Sequence, residues 1–176
     1  MKLRTVLVLA ATLPAAAGAA LAETSAVSPS GFLVTHHHEV HATPQQVYEA
    51  IGRIGRWWND EHSYSGHASN MSLNLVAGGC FCEAWEQNSV QHAQVIQAWH
   101  GSLVRLQGAL GPLQRLAVNG ILTFAINKSG DKTLLTVTYN VAGNADAGLD
   151  KLAAPVDSVI GDAADRLVAY LESARP

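Results

Sequence analysis

Charge is scarce in this chain: Asp, Glu, Lys and Arg make up only 14% of its 176 residues. The 11 Lys+Arg are outnumbered by 14 Asp+Glu, giving a net charge of −3, and the basic residues are not clustered. A phosphate-reading surface needs concentrated Lys and Arg to release counterions, so nucleic acid is excluded as a partner. No apolar run reaches the roughly 20 residues that cross a bilayer as a helix. Cysteine is limited to Cys80 and Cys82, too few for a four-ligand zinc site and wrongly spaced for a Cys-x-x-Cys redox pair. The chain also lacks a phosphate-cradling Gly loop, a Gly-x-Ser-x-Gly elbow, a His-Glu-x-x-His helix and a dinucleotide fingerprint. No cofactor is therefore expected. What is plentiful is apolar surface, 48% of residues, and with so small a net charge this excludes a disordered chain.

Met1 to Ala22 has the pattern of a secretory signal peptide. Lys2 and Arg4 supply the positive start, Val6 to Ala20 a short Ala-rich apolar core, and Ala20-Leu21-Ala22 a small-x-small cleavage site. Pro14 and the shortness of the core argue against a retained anchor, so no stable membrane insertion is expected after cleavage. Removing 22 residues from 176 leaves 154, and losing Lys2 and Arg4 deepens the net charge from −3 to −5. About 150 residues suffice to bury roughly 70% of the unfolded surface. The expected destination is outside the cytosol, the bacterial periplasm, where cysteines meet an oxidising environment.

Residues 23–31, ETSAVSPSG, are small and polar and predict a flexible linker. One domain is expected over 32–176. Phe32 to Val40 reads as its first strand. Thr43, Pro44 and Gln46 then form a helix start, with Thr43 as cap, Pro44 in the first turn and Gln46 completing a capping box. Val47, Ala50, Ile51 and Ile54 give that helix a buried stripe, and residues 56–60 a loop or second short helix. From Met71 onward the period becomes two, predicting strands at 71–76, 80–85, 93–98, 103–108, 117–126 and 133–141. Breakers stand between them, among them Gly78-Gly79, Asn88-Ser89 and Gly111-Pro112. In the last strand Leu135, Val137, Tyr139 and Val141 point inward. Val156, Val159, Ile160, Ala163, Leu167, Tyr170 and Leu171 make one wide stripe on a terminal helix. Short connections make successive strands antiparallel, and helices grouped on one face of such a sheet define an α+β fold.

This order resembles the helix-grip, or START-like, superfamily (SRPBCC), which includes polyketide cyclases and lipid carriers. Glu39 to Tyr48 (EVHATPQQVY) looks like its strand-to-helix entry. Gly78-Gly79-Cys80-Phe81-Cys82-Glu83 is similar to the Gly-Gly-x-Phe-x-Glu turn of the branch named for activators of a heat-shock ATPase. Gly108 to Leu113 and the terminal helix resemble secreted members. The resemblance implies a curved antiparallel sheet of about seven strands wrapped around the long C-terminal helix, with a cavity between them. An exported chain would be separated from a cytosolic ATPase, so no ATPase partner is expected. One such fold hosts many functions.

The candidate chemistry sits in four places. Trp57-Trp58, followed by His62, reads as a pocket mouth or as a plug at the end of the sheet. Strand parity puts Phe81, Glu83 and Trp85 on one face, inward by the resemblance. A buried Glu83 needs a partner, for which His92 and Arg105 are available, and serves as a ligand contact, an acid, or half of a structural ion pair. No second carboxylate shares that face, which disfavours a two-carboxylate hydrolase. Cys80 and Cys82 lie on one side of an extended strand with Cα atoms about 6.5–7 Å apart, at the limit for a relaxed disulfide. They read as two thiols, or as a short-loop disulfide that needs a bulge. His36 and His38 share a strand face, as solvated edge residues or as the beginning of a metal site.

Three functions follow as expectations. In the first, an exported module holds a small apolar or amphipathic ligand. Its cavity is walled by Trp57, Trp58, His62, Phe81, Glu83, Trp85, Arg105 and Tyr139, and by Val159, Ala163 and Leu167 of the helix. The second is a cyclase or dehydratase using Glu83 with His62 or His92 as acid and base. The third is an interaction protein whose cavity is filled by its own side chains.

Overall fold

The computed structural model describes residues 21–174; the expected signal peptide lies outside the described residues, apart from its last two positions. Eight strands form one antiparallel sheet: β1 (Leu21–Ser28), β2 (Gly31–Val40), β3 (Met71–Leu73), β4 (Cys80–Trp85), β5 (Asn88–Trp99), β6 (Leu103–Gln107), β7 (Asn119–Ser129) and β8 (Lys132–Ala142). Their order across the sheet is β1-β2-β8-β7-β6-β5-β4-β3. Helix α1 (Pro44–Gly52) follows β2, and α2 (Ala153–Ser173) closes the described chain. The long helix lies against the concave face of the sheet, in the α+β helix-grip arrangement.

Local chemistry accounts for most of these elements. Thr43 caps α1 through the expected capping box: its hydroxyl accepts the Gln46 N–H at 3.2 Å, and Gln46 Oε1 accepts the Thr43 N–H at 2.8 Å. Along β8, Leu135, Val137, Tyr139 and Val141 are all buried, as alternation requires. Gly120 of β7 leaves room for Tyr139; a Cβ there would lie 2.4 Å from the tyrosine hydroxyl, so something would have to shift.

Three expectations are corrected. Residues 23–28 are not a linker but most of strand β1, paired with β2 from Leu21↔His37 to Ser28↔Gly31. The sheet therefore has eight strands rather than seven, because polar side chains do not prevent a ladder at an exposed edge. The Asn88-Ser89 breaker is strand as well: the β4–β5 turn falls at Glu86-Gln87, with Glu86 at φ +51°, and Trp85 pairs with Asn88.

The third correction concerns His36 and His38. β1 pairs with β2 as far as His37, and neither His36 nor His38 is a solvated edge residue. Both are buried on the face that meets α2, His36 Nε2 lying 2.9 Å from Asp157 Oδ1 and His38 Nδ1 3.8 Å from Asp165 Oδ1. The closer pair is not aligned for a hydrogen bond. The His36 ring also explains a glycine inside α2, since a Cβ on Gly161 would meet His36 Cε1 at 2.9 Å. Among the described residues no group of three or more His, Cys, Asp or Glu side chains is placed to hold a metal ion.

Burial pushes the His38 pKa below the ordinary histidine range, an effect that Asp165 opposes and that His36 and His37 reinforce. Burial also lowers that of His92, against the opposing pull of Glu83. The unfolded chain therefore binds more protons than the folded one once the pH falls below about 6.5. Thermal melts should show Tm falling between pH 7.5 and pH 5, and His38→Gln should flatten that dependence. A Tm unchanged across the interval would contradict the burial of these rings.

Candidate functional site

The site begins with an irregularity in strand pairing. Phe81 pairs with Ala93, but Cys82 pairs with Gln91, so β5 carries one extra residue opposite β4. Strict alternation would send either His92 or Ala93 outward; the bulge turns both inward, and both are buried. Glu83 follows Phe81 on the inner face of β4 and is fully buried. The bulge brings His92 Nε2 to 3.0 Å from Glu83 Oε2. The same break in register lies between the two cysteines, whose Cα atoms are 5.3 Å apart and whose sulfurs form a disulfide. That separation falls within the ordinary range, which the extended geometry of the sequence reading did not reach.

The other partners of Glu83 come from the loop after the short turn at Asp60–His62. The Tyr64 N–H donates to Oε2 at 3.0 Å and the Ser65 N–H to Oε1 at 2.5 Å. Burial alone would raise the Glu83 pKa, but the hydrogen bonds from Ser65, Tyr64 and His92 outweigh it and hold the carboxyl below its ordinary range. Glu83 is thus an ionised acceptor that ties β4, β5 and the 64–65 loop together. The His92 ring packs against those of Phe81, 4.7 Å away between centroids, and Tyr64, 5.7 Å away.

A cavity of about 340 Å³ opens between this wall and α2. Trp58, His62, Phe81, His92 and Tyr139 line it from the loop and sheet. Val156, Val159 and Ile160 close it from the helix, and Leu110 to Leu113 from the turn after β6. Its volume lies at the lower end of small-molecule sites. The Tyr139 hydroxyl is committed to the fold: it donates to the Gly108 carbonyl and accepts the Leu110 N–H, both at 2.9 Å. Burial pushes its pKa up to about 12, so it remains neutral. Tyr139→Phe should cost about 1–3 kcal/mol in a urea melt, because the Leu110 N–H and the Gly108 carbonyl lose their partner. An unchanged midpoint would show that water or a loop shift replaces it.

The expected wall residues separate clearly. Trp58, His62, Phe81, Tyr139 and Val159 line the cavity, while Glu83 lies behind it, in contact with His92. Trp57 is a plug, buried with its indole N–H 2.8 Å from the Ala50 carbonyl. Trp85, near the end of β4, does not line the cavity. Ala163 and Leu167 are core residues further along α2. Arg105 is not part of the wall: Val104 and Leu106 point inward, so Arg105 faces the outer side. There it donates to Gln97 at 2.8 Å and Thr123 at 3.2 Å, and plays no part with Glu83. The 110–115 turn and Tyr64 were not foreseen as site residues. Leu110, Pro112 and Leu113 beside breakers were the available signal, since apolar residues in a turn need something to cover them.

The Trp loop is anchored to α2. Arg166 Nε donates to the Trp57 carbonyl at 2.9 Å, and Asn59 Nδ2 to Asp162 at 2.8 Å. The helix thereby fixes the loop that carries Trp58 and His62.

This architecture is shared with solved structures. CalU16 from Micromonospora echinospora, in its solution structure, matches with a TM-score of 0.61 at 16% identity, over 92% of this chain and 80% of its own. MLL2253 from Mesorhizobium loti matches with a TM-score of 0.60 at 10% identity, over 82% and 99%. The Aha1 dimer from Colwellia psychrerythraea gives a TM-score of 0.58 at 16% identity, over 82% and 98%. No protein-family model matches the chain, and no curated protein matches it in sequence. The chain therefore has the α+β helix-grip fold that these structures share. At these identities the likeness speaks for the fold.

Proposed function

We propose that this protein is an exported binding module that holds a small apolar or amphipathic molecule between α2 and the sheet. The observation that carries the reading is the 340 Å³ cavity, walled largely by Trp58, Phe81, Leu113, Val156, Val159 and Ile160. Apolar walls release water from an apolar guest, and a few polar groups orient it. An open cavity speaks against the reading in which the protein's own side chains fill it. Export to an oxidising compartment is supported by the Met1–Ala22 pattern and by the Cys80–Cys82 disulfide. Native mass spectrometry of protein purified from the periplasm should show a co-purifying mass below about 400 Da, the size such a cavity admits. Absence of any adduct, together with failure to bind naphthalene-sized fluorescent probes, would overturn the reading.

A second reading is favoured by one specific feature, the buried His92–Glu83 pair at the cavity wall. Held by the carboxylate, His92 has the arrangement of a general base, as a cyclase or dehydratase would need. His62 lines the same cavity but is exposed and does not touch Glu83. Turnover that survives His92→Phe would remove this reading and leave the binding module.

A further inference from the structure

We infer that the molecule held in this cavity carries a hydroxyl group, and that His92 Nδ1 accepts its hydrogen. The inference rests on the binding reading and names the ligand chemistry of that same site. Glu83 is ionised and can only accept, so the Nε2 atom facing it at 3.0 Å carries the ring hydrogen. In the neutral ring this leaves Nδ1 with a lone pair. Its neutrality agrees with the lowered pKa of His92, set chiefly by burial. Nδ1 makes no hydrogen bond within the described residues, although the ring is buried and lines the cavity.

The other polar side chains on the cavity wall are either engaged or wet. The Trp58 indole N–H donates to the His62 carbonyl, the Ser63 hydroxyl to the Asp60 carbonyl and the Tyr64 hydroxyl to the Gly111 carbonyl. The Tyr139 hydroxyl holds the 108–110 turn. Glu61, His62 and Arg115 are exposed and keep their water. Among the described residues, His92 Nδ1 is therefore the one unengaged side-chain acceptor on the inner wall. A purely apolar guest would strip it of water and return nothing, whereas a hydroxyl donor restores the bond. The Phe81 and Tyr64 rings pack against the imidazole and Glu83 holds its Nε2, so the acceptor direction is set before the ligand arrives.

The test uses two probes of nearly the same shape, 2-naphthol and 2-methoxynaphthalene, titrated into the protein at pH 7.5. The naphthol should bind about tenfold tighter, the worth of one well-placed hydrogen bond. His92→Phe should abolish the difference between the two probes. Equal affinities in the unmodified protein would overturn the hydroxyl assignment and leave the apolar cavity standing. Binding of neither probe would overturn the cavity reading and this inference with it. Should His92→Phe not fold, ¹⁵N spectra of the unmodified protein locate the contact. The unprotonated Nδ1 resonance of His92 should move with 2-naphthol and stay in place with the ether, and a resonance that ignores both would overturn the assignment.

Discussion

Glu83→Leu is expected to destabilise the protein by about 3–5 kcal/mol, although leucine is apolar and the position is fully buried. Transfer of a carboxylate out of the interior is favourable by itself, and replacing a whole buried ion pair can be nearly neutral. Here, however, the partners stay behind. The N–H groups of Tyr64 and Ser65 and the Nε2 of His92 all donate to this one side chain. Removing it leaves three donors without an acceptor, and each such loss costs roughly 1–3 kcal/mol. In a chain of this size a Tm decrease of about 10 °C should result. Glu83→Gln should fall between, since an amide keeps one acceptor oxygen but sets its own N–H₂ against a donor. Thermal and urea melts on both variants check this. A Glu83→Leu protein as stable as its parent would mean that the 64–65 loop is not held as described.

Val159→Trp should remove ligand binding while leaving the fold intact. Val159 is half-buried on α2 with its side chain on the cavity wall, so a larger ring has space to enter rather than core to displace. The affinity for a naphthalene-sized probe should fall about a hundredfold, equivalent to roughly 2.7 kcal/mol. Tm should hold steady or rise, because the indole buries new surface in a void. Ala169, exposed on the same helix, gives the matched control: Ala169→Trp should leave probe binding unchanged. If both variants bind like the parent, the probe sits elsewhere and the cavity is not the site.

The sequence legibility differs sharply between neighbouring residues. Phe81 and Glu83 were readable as sharing one face, because they have the same parity on a strand that begins after Gly78-Gly79, but that this face is the inner one came only from the resemblance. His92 was readable only as a nearby candidate, since alternation along β5 cannot place it and Ala93 on one side. Arg105 failed for a related reason. Strand adjacency puts it forward as a partner for Glu83, but the parity of Val104 and Leu106 turns it to the outer face. Trp57 and Trp58 are adjacent and chemically identical, yet one plugs the core and the other lines the cavity. Their difference comes from which carbonyl each indole reaches, Ala50 or His62.

What the sequence determined by itself is the set of elements. Period two in β4, β7 and β8, the Thr43 capping box and the apolar stripe of α2 are local properties, encoded within a few residues of where they act. The tertiary structure decided the rest: the bulge that joins His92 to Glu83, the packing of α2 over His36 and His38, and the volume left open beneath Val159. These depend on how distant segments register against one another. A one-residue offset between paired strands reverses which side chains meet, and no local pattern records it.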